Sequence, residues 1–236
     1  MKPLYLATAV REGLGASLRP GGDTLTRRIL QLTSPAMAST VLDAGCGLGT
    51  SMRLLRQYGI RTVIGLDLEA EFLGEARLGN FPVARADLQN LPLTDACLDM
   101  LLCECVWNLT DRHRTLGEFA RTLRPGGYLA LTDIFARSQV NSEDSVAWPV
   151  PCCFSGATGL PAVAEMVGAA GFEILVLEDH SRLLTHTAAE FVFAHGSLQA
   201  FWQAVTGDAG QASAACAASA ATRPGLFLLI AKRSRS

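Results

Sequence analysis

Val41-Leu42-Asp43-Ala44-Gly45-Cys46-Gly47-Leu48-Gly49-Thr50 is the stretch that decides how this chain folds. Thr40-Val41-Leu42 is a short β-type run, Gly45 to Gly49 is a glycine turn, and Ser51 to Tyr58 has helical spacing until Gly59 stops it. Glycines between a strand and a helix let backbone pass close to a ligand where a Cβ would collide. Such a turn also serves simple tight packing of strand on helix, so the choice of ligand rests on its neighbours. A dinucleotide fingerprint reads Gly-x-Gly-x-x-Gly, with pyrophosphate resting on the helix N-terminus. Here Gly49 comes one residue early and Thr50 holds the expected place. Asp43 ends the strand just before the turn. An anion there repels pyrophosphate and attracts a cationic ligand.

Downstream, strand and helix alternate. Arg61 to Leu66 reads as a second strand and Glu69 to Leu78 as a helix, with Pro82 to Arg85 a short third strand. Leu98 to Cys103 is a fourth, apolar almost throughout, as a strand covered on both faces should be. A helix over Asp111 to Leu123 stops at Pro125-Gly126-Gly127, ahead of a fifth strand over Tyr128 to Ile134. A helix over Ala162 to Ala170, a sixth strand over Phe172 to Leu177, a long helix over Arg182 to Val205 and a final strand over Pro224 to Ala231 complete the pattern. This alternation predicts an α/β fold with a doubly wound, mostly parallel sheet and helices on both faces. Residues 1–35, with a short amphipathic helix over Thr24 to Leu32, read as a helical preamble. Residues 36–236 read as one domain with a helical or loop insertion over about 138–222. Gly207 to Thr222, rich in Ala, Gly and Ser, reads as a mobile loop or a poorly packed helix.

Two further acids stand at strand ends. Asp67 closes the second strand, where a carboxylate accepts from both hydroxyls of a ribose. Asp87 follows the third, where a carboxylate can accept from the exocyclic amine of adenine, and Leu68 and Leu88 can sandwich the ring. Each acid alone is an ordinary solvated loop carboxylate, but three at successive strand ends lie on one edge of the sheet. With Asp43 beside a cation, the set favours S-adenosylmethionine, which carries a sulfonium and an α-amino group, over NAD.

These residues carry a family resemblance. Val41 to Gly49, Asp67, Asp87-Leu88-Gln89-Asn90-Leu91-Pro92-Leu93, Leu98-Asp99-Met100-Leu101-Leu102 and Leu123-Arg124-Pro125-Gly126-Gly127-Tyr128-Leu129 follow in order and spacing. The chain resembles the class I S-adenosylmethionine-dependent methyltransferases, in the small-molecule branch that includes quinone-biosynthesis and arsenite methyltransferases. The resemblance implies a seven-stranded Rossmann-like sheet with an antiparallel last strand. It implies that Asp43, Gly45, Cys46, Gly47 and Gly49 hold the methionine end, Asp67 with Leu68 the ribose side, and Asp87 with Leu88 the adenine, with Cys103 beside the cofactor. It also places the transferred methyl at the ends of strands four and five. Glu104 and Asp133 are then the candidate bases, each with an alternative reading as a structural hydrogen-bond acceptor. Cys105 and Trp107 become candidate substrate walls, and the preamble turn Arg19-Pro20-Gly21-Gly22 can place the N-terminal helix over the cofactor.

Seven cysteines suggest a sharper alternative. Thiolates bind soft centres, so some of Cys103, Cys105, Cys152, Cys153 and Cys216 can grip a thiophilic substrate such as arsenite. The plain reading makes them small apolar residues. No CxxC spacing is present, the four histidines are scattered, and no resident metal is expected. Phe191, Phe193, Phe201 and Trp202 read as packing of the long helix on the sheet, and His186 with Glu190 as a solvated pair.

Composition limits the remaining options. In 236 residues, 49% are apolar and 18% charged, with mean hydropathy +0.25, which is enough to bury a full core. Twenty basic against 22 acidic side chains leave net −2, which argues against a nucleic-acid partner. Charges interrupt every apolar run before the roughly 20 residues that span a bilayer, and Arg11 and Glu12 cut short the apolar start. The expectation is a cytoplasmic enzyme with free thiols and a small-molecule substrate. A nucleotide-dependent oxidoreductase and a non-catalytic cofactor-binding module on the same fold are the rivals. Asp43 and the early Gly49 weigh against the first, and the complete constellation against the second.

Overall fold

A computed structural model describes residues 3–138 and 147–235. The first part of the expected insertion, 139–146, lies outside the described residues. The sheet has seven strands, β1 (Thr40–Ala44), β2 (Thr62–Asp67), β3 (Val83–Arg85), β4 (Leu98–Glu104), β5 (Leu123–Ala136), β6 (Phe172–Asp179) and β7 (Pro224–Arg233). Their order is β3-β2-β1-β4-β5-β7-β6. Pairs from β3 through β5 are parallel, and β7 runs antiparallel between β5 and β6. The order reverses between β1 and β4, and in open α/β sheets the crevice at that switch point is where ligands bind.

Alternation along each strand builds two cores. Leu42, Leu101, Cys103, Leu129 and Leu229 face one side, with Leu116 and Phe119 of α5 (Arg112–Thr122) and Val163 and Val167 of α6 (Leu160–Ala169). Val41, Met100, Leu102, Ala130 and Leu228 face the other, with Leu25 and Ile29 of α2 (Thr24–Thr33) and Met52 and Leu55 of α3 (Thr50–Tyr58). The remaining helix on the early half, α4 (Ala70–Leu78), adds Leu73 to this second core.

A third core stands off the sheet. Val10 of α1 (Thr8–Leu14) packs with Val150, Cys152, Phe191 of α7 (Ser181–His195), Phe201 and Trp202 of α8 (Leu198–Thr206), and Ala212 and Ala215 of α9 (Ala209–Thr222). Two sequence expectations change here. The single helix over Arg182 to Val205 is two, because Gly196 takes a left-handed φ of 85° and the Ser197 side chain caps the second helix by accepting from the Ala200 N–H at 3.0 Å. The Ala-rich stretch is an ordered helix, α9. Alanine has the highest helix propensity, the Asp208 carboxylate accepts from the Gln211 N–H at 2.7 Å, and buried Ala212, Ala215 and Ala218 let neighbours approach closely. A third departure lies in β5, which starts at Leu123 and not Tyr128. Its pairing with β4 jumps from Leu98↔Leu123 to Met100↔Tyr128 as the chain passes Gly126 at φ 80°.

Candidate functional site

The glycine turn is tied to the strand that follows it. The Gly45 and Cys46 N–H groups donate to the Leu66 carbonyl at 2.7 and 3.0 Å, and the Gly47 N–H donates to Asp67 Oδ2 at 2.8 Å. Gly45, Gly47 and Gly49 all have positive φ, and a Cβ on Gly45 would overlap Val106 Cγ2. The backbone therefore curls at the end of β1 and leaves open space above the sheet. That space is a cavity with about 1020 Å³ of empty volume counting its mouth. It is lined by Gly45 to Gly47 after β1, Asp67 and Leu68 after β2, Asp87 and Leu88 after β3, and Glu104 and Cys105 at the end of β4. Asp87 is exposed and accepts from the Gln89 N–H at 2.9 Å. The second Asp67 oxygen accepts from the Glu69 N–H at 2.9 Å, and burial raises its pKa.

Beneath this cavity lies a cluster of opposed charges. Glu104 is 6% exposed and accepts from Ser51 Oγ at 2.6 Å and from Thr26 Oγ1 at 3.1 Å. The Arg19 guanidinium reaches it at 3.3 Å and also donates to Thr26 at 2.7 Å. Arg19 is one residue that sequence reasoning missed as a charge. Only its turn was singled out, and Ala16, Ser17, Leu18 and Arg19 all line the cavity. Asp43 is buried beside this cluster, and its Oδ2 has no hydrogen-bond partner. Burial, reinforced by Glu104 and Asp67 and only partly offset by Arg19, pushes its carboxyl up to about 7. Arg19 Nε is likewise buried and unpartnered. Arg19 lines one end of the cavity, and Asp43 lies buried beside it without lining the cavity; a ligand end that carries an ammonium and a carboxylate together suits the pair.

A second cavity, with about 920 Å³ of empty volume counting its mouth, opens beside the first. Tyr5, Leu18, Cys105 and Leu109 line both, so the two meet there. Two of these four, Leu18 at φ 53° and Cys105 at φ 59°, hold the left-handed backbone that side chains rarely adopt. The Tyr5 hydroxyl donates to Glu69 Oε1 at 3.3 Å, and burial with that carboxylate pushes its pKa up to about 12. Much of the rest of the second cavity belongs to the third core, through Trp148, Cys152, Phe154, Phe191, Phe201 and Trp202, while Cys153 joins it from the second core. Trp148 stacks on Phe154 with centroids 4.8 Å apart, and Phe191 on Phe201 at 4.1 Å.

Some expectations meet a different geometry. Cys103 was assigned to the cofactor, but it is fully buried in the first core and lines neither cavity, because alternation along β4 turns it to the opposite face from Leu102. Trp107, expected as a substrate wall, is also fully buried; its indole donates to the Arg112 carbonyl at 3.2 Å. Asp133 lines neither cavity. It accepts from the Asn108 and Ile134 N–H groups at 2.9 and 2.8 Å, and burial pushes its carboxyl up to about 7. Phe191, Phe201 and Trp202 line the second cavity instead of packing on the sheet, and Phe193 is 94% exposed. Cys105, Cys152 and Cys153 do share the second cavity, while Cys216 does not line it. Burial raises all three thiols, and no three-residue metal cluster is found among the described residues.

Residues 42–131 match the family model described as a methyltransferase domain. Over 128 residues the chain is 40% identical to malonyl-[acyl-carrier protein] O-methyltransferase of Pectobacterium atrosepticum, covering 53% of this chain and 49% of that protein. Over residues 42–131 the chain is thus similar to methyltransferases. Arsenite methyltransferase of Halobacterium salinarum is 30% identical over 58% of this chain and 38% of its own length. The chain thus spans about half the length, or less, of these curated relatives. A solved structure of the [4+2]-cyclase SpnF is 25% identical, with a TM-score of 0.71 over 94% of this chain and 84% of that one. The seven-stranded sheet with its antiparallel β7 is the fold expected of this family. No helix among the described residues is long and apolar enough to cross a membrane.

Proposed function

We propose that the protein transfers a methyl group from S-adenosylmethionine, held in the strand-end cavity, to a small-molecule acceptor held in the apolar cavity. The observation that carries this reading is the junction of the two cavities at Tyr5, Leu18, Cys105 and Leu109. One side of it is charged and the other apolar. Asp67 holds the ribose hydroxyls, Asp87 the adenine amine, and Leu68 with Leu88 the faces of the ring. The turn from Gly45 to Gly49, including Cys46, receives the methionine end, whose ammonium answers Asp43 and whose carboxylate answers Arg19 Nε. The cofactor, when bound, supplies a methyl activated on a sulfonium.

What remains for the protein is to hold the acceptor in line and exclude water. Glu104 is a positioning residue in this scheme, because Ser51, Thr26 and Arg19 already occupy its oxygens. No carboxylate lines the acceptor side among the described residues, so an acceptor that carries a proton releases it to bulk solvent through the cavity mouth after the methyl has moved. Seven cysteines without a disulfide suit a reducing compartment, and we assign the protein to the cytoplasm. The likeness to a [4+2]-cyclase extends over nearly the whole chain, which favours as a second reading a cyclase that binds the cofactor without spending its methyl. An assay for S-adenosylhomocysteine release against uncharged phenols, quinol precursors, thiols and arsenite separates these readings. Release with an uncharged acceptor supports methyl transfer, and release with arsenite alone supports the thiol-bound substrate. Thermal stabilisation by NADH and not by S-adenosylhomocysteine would overturn the proposal.

A further inference from the structure

The acceptor-side cavity has an unusual chemical balance. Among the described residues that line it there is no Asp, Glu, Lys, Arg or His. Burial keeps the cysteine thiols protonated, and the Tyr5 hydroxyl is already committed to Glu69. A charged acceptor entering here would lose its hydration and find no counter-charge. Two of the residues that line it nonetheless carry unspent donors. Trp148 Nε1 and Trp202 Nε1 are both buried without a hydrogen-bond partner, and Trp202 is only 4% exposed. An indole N–H donates and cannot accept, and buried indoles normally find an acceptor. The two rings lie 5.8 Å apart at an interplanar angle of 49°, so they frame one part of the wall.

We infer that the acceptor is an uncharged, largely apolar molecule whose body packs on Trp148, Phe154 and Trp202, and whose carbonyl, ether or hydroxyl oxygen accepts from the unpaired indole N–H groups of Trp148 and Trp202. This inference rests on the two-cavity reading above and names the substrate class for its acceptor side. It separates this site from acceptors whose recognition needs ion pairs, such as free amines, carboxylates and phosphate esters.

Calorimetry on the full chain with three probes of one skeleton tests it: 2-acetonaphthone, 2-naphthoate and 2-ethylnaphthalene, each with S-adenosylhomocysteine present. The ketone binds wild type, and the carboxylate binds at least about tenfold more weakly because its charge is left unpaired. Trp148→Phe and Trp202→Phe each weaken the ketone by about two- to tenfold, the worth of one neutral hydrogen bond, and leave 2-ethylnaphthalene within about twofold of wild type. Binding of S-adenosylhomocysteine alone reports that each variant is folded and tests the cofactor side separately. If it fails in wild type, the methyl-transfer reading falls. Carboxylate binding as tight as the ketone's, failure of all three probes, or equal losses for ketone and hydrocarbon in both variants would overturn the acceptor class alone.

Discussion

Asp43→Asn separates the cost of a buried charge from its use. Asp43 is 3% exposed, one of its oxygens has no partner, and its carboxyl is pushed from 3.8 to about 7, mainly by burial. A carboxyl whose pKa is higher folded than unfolded binds more protons in the folded state between those two values. Its contribution to stability is therefore complete below about pH 4, falls as pH rises to about 7, and is level above that. The gap of roughly three pH units, at about 1.4 kcal/mol each, sets about 4 kcal/mol as the upper value of that loss. Asparagine keeps the shape and cannot ionise. The melting temperature of D43N should therefore climb relative to wild type between pH 4 and pH 7, by up to about 8–16 °C for a chain of this size. The other acid with a similar shift, Asp133, is present in both proteins and cancels. Thermal melting of the ligand-free proteins across pH 4–8 measures the gap. At pH 7.5, S-adenosylhomocysteine should stabilise wild type and do much less for D43N, because the ammonium has lost its partner. A melting gap that stays constant with pH would refute the assignment of a charged, unpaired Asp43.

Three further outcomes follow from the same geometry. Gly45→Ala puts a methyl into Val106 and a side chain at φ 83°, so it should lower stability by about 2 kcal/mol or more, and Val106→Ala in the same chain should restore part of the loss in denaturant titrations. Glu104→Gln keeps the contacts to Ser51 and Thr26 and removes the attraction to Arg19; it should raise the KM for S-adenosylmethionine severalfold with little change in kcat. A collapse of kcat together with loss of the acidic limb of its pH profile would instead make Glu104 a base. Ala215→Leu overfills the fully buried stripe of α9 and should cost about 1–3 kcal/mol by chemical denaturation, where a mobile loop would tolerate it.

The parts of the site legible from sequence are those fixed by local backbone chemistry. Gly45, Gly47, Asp67 and Asp87 sit at strand ends, and strand ends are signalled by apolar runs that stop at a turn. Side-chain facing along β4 was legible too, from alternation: with Leu102 turned to one core, Cys103 has to turn to the other. Apart from Cys105, Cys152 and Cys153, the acceptor wall was not legible, because its residues come from positions as distant as Tyr5, Trp148 and Trp202. No local pattern records which of several aromatic residues meet across such separations. Arg19 was hidden for a related reason. Its partners, Thr26 and Glu104, lie 7 and 85 positions on, and only the folded preamble brings them together. The break at Gly196 was visible as a residue but not as a helix end, since an isolated glycine inside a helical pattern is often tolerated.

The boundary between the two cavities also divides the chain. The strand-end side draws its turn and acids from residues 45–104, inside the stretch that matches methyltransferases, whereas most of the apolar wall comes from residues 4–20 and 148–224. Tyr5, Leu18, Cys105 and Leu109 are the only seam among the described lining residues. Changes to the outer segments can thus re-cut the acceptor's mould while the cofactor's grip stays as it is. An exchange of residues 148–222 between relatives, leaving β5 and β7 in place, becomes a practical way to move one acceptor preference onto another enzyme of this fold.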